Sequence, residues 1–224
     1  MKRSEINTAI LRALEIIKEN NIYLPPFGYW KKDEWVSKLP SLSNLKQIGL
    51  GWDVTDFGGG DFFRIGATLF TVRNGDEKDT STGTPYAEKY IIQLHEREQE
   101  IPLHFHRKKT EDIINRGGGI LSIQLFNSTP DNQLDKESRV YVRMDGEDLN
   151  FEAGVILDIP RGASITLTPG LFHRFWAKKG AGDLVAGEVS SVNDDFTDNI
   201  FLDGQPRFSE IEEDEPVLFP LCNE

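Results

Sequence analysis

The sequence predicts an all-β fold, an antiparallel double-sheet barrel of the jelly-roll type with an N-terminal helical cover. Three observations carry this prediction: many short runs rich in β-branched and aromatic residues, turn residues between nearly all of them, and only one long stretch with helical periodicity. At 224 residues the chain fits one large β domain that need not divide.

Residues 4–20 place Ile6, Ile10, Leu14 and Ile17 on one helical stripe, with Ser4 as the expected N-cap and Pro25-Pro26 as the stop. The polar stretch after Tyr29-Trp30, with Pro40 and several serines, reads as a loop or short helix, and strands are expected from about residue 46. The division predicted is therefore a helical extension over 1–45 and a barrel over 46–224. Strand-like runs follow at Phe63 to Val72, Lys89 to His95, Pro102 to His106, Asp112 to Asn115, Ile120 to Phe126 and Arg139 to Met144. Four more run from Val155 to Ile159, Ser164 to Leu167, Phe172 to Trp176 and Leu184 to Val189. Asn74-Gly75-Asp76, Gly117-Gly118-Gly119, Asp145-Gly146, Gly162 and Gly180 to Gly182 punctuate them. The acidic run Glu210 to Pro216 reads as a solvated surface segment.

Charge and composition narrow the function. With 25 basic against 37 acidic residues, net -12, and no basic patch threaded with aromatics, nucleic acid is not an expected partner. The single cysteine, Cys222, has no partner within the chain for a disulfide, which fits a reducing compartment. Glu5, Glu15 and Glu19 interrupt the first segment, and no stretch reaches membrane-spanning length, so a cytoplasmic protein without membrane contact is expected.

Three of the four histidines fall in one pattern: His104, His106, Glu111 and a distant His173 after Pro169-Gly170. On a strand, His104 and His106 share a face while Leu103 and Phe105 take the other. Imidazole and carboxylate together suit zinc, manganese, iron, cobalt or nickel, so these four are the expected ligands of one divalent metal with positions left open. His95, outside the pattern, is assigned to structure or the rim.

These residues resemble the cupins, whose first motif (HxH, three or four residues, E, six residues, G) reads here as His104, His106, Glu111 and Gly118. The second, centred on PxGxxH, reads Pro169-Gly170-Leu171-Phe172-His173, with the glycine one place early, and Glu98 stands where the first motif usually opens on glycine. Three wider stretches, Gly49 to Gly58, His104 to Gly119 and Gly187 to Asp195, are more specifically similar to the D-lyxose isomerases. That resemblance covers roughly residues 46–220. It implies a cupin double-stranded β-helix and a metal-dependent aldose-ketose isomerase, interconverting D-lyxose with D-xylulose and D-mannose with D-fructose through an enediol. Manganese is the expected metal, with zinc, cobalt or iron as alternatives. An unphosphorylated sugar is favoured by the absence of a Gly-rich phosphate loop, and a homodimer is expected from the way jelly-roll sheets pair.

For catalysis the family carries a lysine matching Lys109, which a neighbouring cation would push toward its neutral form. Glu188, interrupting an apolar run, is the expected acid/base partner, and Asp203 a further catalytic candidate. Trp52, Asp53, Phe172 and Arg207 are the expected substrate-binding residues. Two alternatives stand beside the isomerase: a cupin oxygenase or oxidoreductase, since a fold does not fix a reaction, and a non-catalytic sugar-binding cupin.

Overall fold

A computed structural model describes residues 1–38, 43–195 and 197–224. Helix α1 (Arg3–Glu19) opens the chain, followed by a 3-10 turn at Pro26–Gly28 and the short helices α2 (Lys32–Lys38) and α3 (Ser43–Gln47). The expected loop or short helix around Pro40 falls partly on residues 39–42, outside the described residues. The strands are β1 (Gly51–Thr55), β2 (Ala67–Gly75), β3 (Gly83–Gln93), β4 (Glu100–His106), β5 (Glu111–Gly118), β6 (Leu121–Ser128) and β7 (Leu134–Asp135). They continue as β8 (Val140–Met144), β9 (Glu147–Phe151), β10 (Ile156–Ile159), β11 (Ser164–Leu167), β12 (Leu171–Ala177), β13 (Leu184–Ser191) and β14 (Asn199–Phe201).

Two antiparallel sheets result, an eight-stranded one in the order β1-β2-β3-β13-β5-β11-β8-β9 and a six-stranded one in the order β10-β6-β12-β4-β14, with β7 on β6. This is the predicted all-β jelly roll with its helical cover. Alternation within each strand builds two cores. Leu69, Ile91, Ile113, Ala186 and Leu184 of the large sheet meet Ile101, Ile123, Leu125 and Phe175 of the small sheet between them. The opposite face of the large sheet sends Trp52, Val54, Phe70, Val72, Ile92 and Val185 against Ile6, Ile10, Ala13, Ile16 and Ile17 of α1. The helix thus covers the large sheet and leaves the space between the sheets to the barrel interior.

Several expectations change. The N-cap is Lys2, whose amide donates to Glu5 Oε2 at 2.8 Å, while Ser4 lies inside the first turn and its hydroxyl donates to Asp214 at 2.7 Å. Strands begin at Gly51 rather than near 46, and β1, β7, β9 and β14 lie outside the expected runs. The acidic run is docked rather than merely solvated: Met1 N donates to Glu210 O at 2.8 Å, and the fully buried Arg3 guanidinium lies between Glu213 and Glu224. Residues 1–3 are thereby joined to Glu210, Glu213 and Glu224.

Candidate metal centre

β4 and β12 are neighbours in the small sheet, and their register sets His104 directly opposite His173. Both rings, with His106 two residues along β4, face the interior, 4.1 Å apart between the His104 and His173 centroids and 5.2 Å between His104 and His106. The register shifts just beyond, where His173/Phe175 oppose His104/Ile101, so one extra β4 residue is accommodated next to Pro102. Bulges of this kind re-aim side chains beside functional sites. Pro102 O accepts from His104 Nδ1 at 2.8 Å, and Leu171 O accepts from His173 Nδ1 at 3.0 Å. Because a carbonyl oxygen only accepts, Nδ1 is the donor in both rings, which leaves Nε2 facing inward.

The large sheet supplies the carboxylate. Glu111 opens β5 after the tight reversal at 107–110, and its Oε1 stands 3.2 Å from His106 Nε2 and 3.1 Å from His173 Nε2. One ligating atom from each of the three histidines lies within 4.8 Å of the others. Burial, then His173 and His106, pushes His104 well below the usual imidazole value, and burial followed by Lys109 lowers His106. Burial opposes ionisation of Glu111, but Lys109 and then His106 hold it well below the usual carboxylate range. Buried lone pairs on imidazole beside an ionised carboxylate form a donor set that fits a divalent cation, and His173 Nε2, buried and without a hydrogen-bond partner, is left for one.

From Glu111 a line of alternating charge runs along the cavity wall. Lys109 Nζ lies 2.8 Å from Glu111 Oε2 and 2.8 Å from Glu188 Oε1. Lys89, paired with Glu188 across β3 and β13, places its Nζ 3.7 Å from Glu188 and 3.9 Å from Asp195. Asp195 accepts from Arg207 Nε at 3.1 Å, and Arg207 Nη2 donates to Asp53. Burial opposes charge on Lys109, yet Glu111 and Glu188 raise its pKa above the usual lysine value. Burial is likewise outweighed at Glu188, lowered by Lys109 and Lys89, and at Asp195, lowered by Arg207 and Lys89.

The facing wall is apolar. Phe57 holds φ at 49°, in the left-handed region that costs a side chain about 1–2 kcal/mol. Asp56 accepts from the Gly58 and Gly60 amides, and Thr55 Oγ1 accepts from the Phe57 amide, so the surrounding turn over-determines it. The Phe57 ring meets Phe201 at 5.4 Å, and Phe201 stacks on His104 at 5.3 Å.

The structure brings His104, His106, Glu111, His173, Lys109, Glu188 and Arg207 around one space, with Asp53 behind Arg207. Three expected residues lie elsewhere. Trp52 neighbours inward Asp53 and so faces outward under α1, its Nε1 donating to Gly28 O at 2.9 Å. Phe172 neighbours inward His173 and packs on Phe105, 4.8 Å between centroids, on the outer face of the small sheet. Asp203 sits in an exposed turn after β14, accepting from Gln205 at 3.4 Å. Lys89, Asp195, Phe57 and Phe201 were missed. Lys89 had a signal, since Ala87, Lys89 and Ile91 alternate onto one face and a lysine among buried apolar neighbours is unusual. His95 accepts from the Gly180 amide at 3.2 Å, a structural contact.

Comparison with known proteins adds the family. Residues 1–224 match the profile of the D-lyxose isomerase family. Curated proteins named D-lyxose/D-mannose isomerase, from Escherichia coli O157:H7 and Serratia proteamaculans, are 43% identical over 227 and 228 residues. Both alignments cover 100% of this chain, and 98% and 97% of the respective relatives. Among solved structures, a variant L-ribose isomerase of Acinetobacter sp. DL28 with L-ribose has a TM-score of 0.60 at 14% identity, covering 95% of this chain and 98% of its own. The ligand-free L-ribose isomerase of Cellulomonas parahominis gives 0.57 at 13%, with the same 95% and 98% coverage. At these identities the two structures establish a shared fold.

Proposed function

This chain belongs to the D-lyxose isomerase family and is an aldose-ketose isomerase, and from that premise we propose that it interconverts D-lyxose with D-xylulose and D-mannose with D-fructose by proton transfer through an enediol. The observation that carries the reading is the Lys109–Glu188 pair, 2.8 Å apart, beside the buried His104, His106, Glu111 and His173.

These last four would hold a divalent metal. Manganese is the ion we assign, and zinc, cobalt and iron suit the same donors. When bound, such an ion supplies positive charge beside the two sugar oxygens on which negative charge develops. Glu188, buried and ionised, is placed in the role of the base that takes the proton from C2 of the aldose and returns it to C1. The Lys109 ammonium gives a proton to O1 and recovers one from O2, so atoms and charge balance over the cycle. Leu69, Ile91, Ile101, Ile113 and Phe175 line the same cavity and keep bulk water from the proton in transit.

Family membership sets aside the oxidoreductase and the non-catalytic alternatives. A cytoplasmic setting and a homodimer complete the proposal, the latter read out by light scattering. The decisive assay incubates manganese-loaded protein with D-lyxose or D-mannose and follows ketose formation. No turnover of either aldose by protein carrying its full complement of metal would overturn the reading.

A further inference from the structure

Arg207 has five N–H donors on a planar guanidinium. Its Nε reaches Asp195 at 3.1 Å and its Nη2 reaches Asp53, which together fix the plane. Its Nη1 is buried and has no hydrogen-bond partner. Among the cavities lined by described residues, Arg207 borders the one that holds His104, His106 and Glu111. Buried donors without partners are uncommon and call for a ligand or a bound water.

The position of this donor is informative. Between Glu111 and Arg207 stand Lys109, Glu188, Lys89 and Asp195 in succession, each within 3.9 Å of the next. Arg207 therefore lines the cavity with four charged groups intervening between it and Glu111 along this wall. Its positive charge is already matched by two carboxylates, so this part of the wall offers a directed donor without a net attraction for an anion. A phosphate here would lie against Asp53 and Asp195.

We propose that Arg207 anchors the far end of the substrate, Nη1 donating to the hydroxyl on C5 of an open-chain pentose, and that Asp53 is a positioning residue acting through the guanidinium. This deepens the isomerase reading and rests on it. It assigns the cavity a polarity: the carbonyl end at the histidines, the neutral hydroxyl end at Arg207, with 5-phosphorylated sugars excluded.

The test compares D-lyxose with 5-deoxy-D-lyxose in wild type, Arg207→Lys and Asp53→Asn, all manganese-loaded, by steady-state kinetics and by calorimetric Kd. A lysine keeps the charge but loses the fork that satisfies both carboxylates and the sugar. Losing a hydrogen bond from a charged donor is expected to cost wild type about 10- to 100-fold in kcat/KM and in affinity when the C5 hydroxyl is removed. Arg207→Lys should lose a similar factor on D-lyxose, mainly in KM, and less than about 3-fold on the deoxy sugar, because the contact is already gone. Asp53→Asn, nearly isosteric, should show the same KM-weighted pattern at smaller size. Equal losses by Arg207→Lys on both sugars, or a wild type indifferent to the C5 hydroxyl, would overturn the assignment. Should a variant fail to fold, the wild-type comparison alone decides. A wild type that binds D-lyxose without turning it over would sink the isomerase reading, while the affinities still report on Arg207.

Discussion

Replacing Lys109 by methionine puts the buried charge network to a quantitative test. The Lys109 side chain is 4% exposed and its Nζ lies 2.8 Å from carboxylate oxygens of both Glu111 and Glu188, themselves 3% and 5% exposed. Methionine keeps much of the volume and removes the only cation that touches both groups at hydrogen-bond distance among the described residues. Breaking a buried pair by deleting one partner costs about 3–5 kcal/mol, because the remaining charge is left uncompensated. At about 2–4 °C per kcal/mol for a chain of this size, Tm should fall by roughly 6–20 °C. The assay is thermal unfolding by circular dichroism with chelator present. The double variant Lys109→Met/Glu188→Gln removes one of the stranded charges and should recover about half of the loss or more. A single variant melting within about 2 °C of wild type, or a double variant less stable than the single, would refute the reasoning.

Three further outcomes follow from the same contacts. Glu188→Gln should lower kcat on D-lyxose by about 10²–10⁴-fold with KM changed little, as removal of a carbon-proton base requires; a change confined to KM would count against that role. At Asp56, burial opposes ionisation but the Ser209 hydroxyl and the Gly58 and Gly60 amides win and lower the carboxyl pKa. Its stabilisation is therefore complete at neutral pH and lost as pH falls below the ordinary carboxylate value toward the folded one. Asp56→Asn should be less stable than wild type by about 1 kcal/mol at pH 7 and converge with it in acid, and urea unfolding from pH 7 to 3 would show a gap that widens instead if this is wrong. Trp52→Ala should cost about 3–5 kcal/mol of stability through the cavity left under α1, yet leave KM for D-lyxose unchanged in protein that remains folded.

What the sequence disclosed and what it hid have a common physical basis. The period of two places His104 and His106 on one face, and the Pro169-Gly170 turn announces the strand that carries His173, so the clustering of the three histidines is legible in the sequence. The same rule excludes Trp52 and Phe172, each adjacent to an inward-facing residue, because alternation sends both rings to the opposite face. Lys89 was readable from its alternation with Ala87 and Ile91. Asp195 was not: it and Asp203 are both loop carboxylates, and only the turns before and after β14 decide that one meets Arg207 and the other meets solvent. β9 was hidden because Glu147, Asp148 and Asn150 dilute its apolar signal to Leu149 and Phe151. The clasp of Arg3 on Glu213 and Glu224 joins residues more than two hundred positions apart, beyond the reach of any local pattern.

That His104, His106, Glu111 and His173 hold one divalent ion at which the sugar reacts is a proposal open to direct measurement. It is tested most directly by stripping the protein with chelator, adding manganese back in known amounts, and recording bound metal and D-lyxose turnover on the same samples. Activity should be absent at the start, rise in proportion to bound metal and level off at one ion per chain, while His173→Ala retains neither metal nor turnover under the same titration. Full activity in metal-free protein, or a His173→Ala variant indistinguishable from wild type, would contradict it.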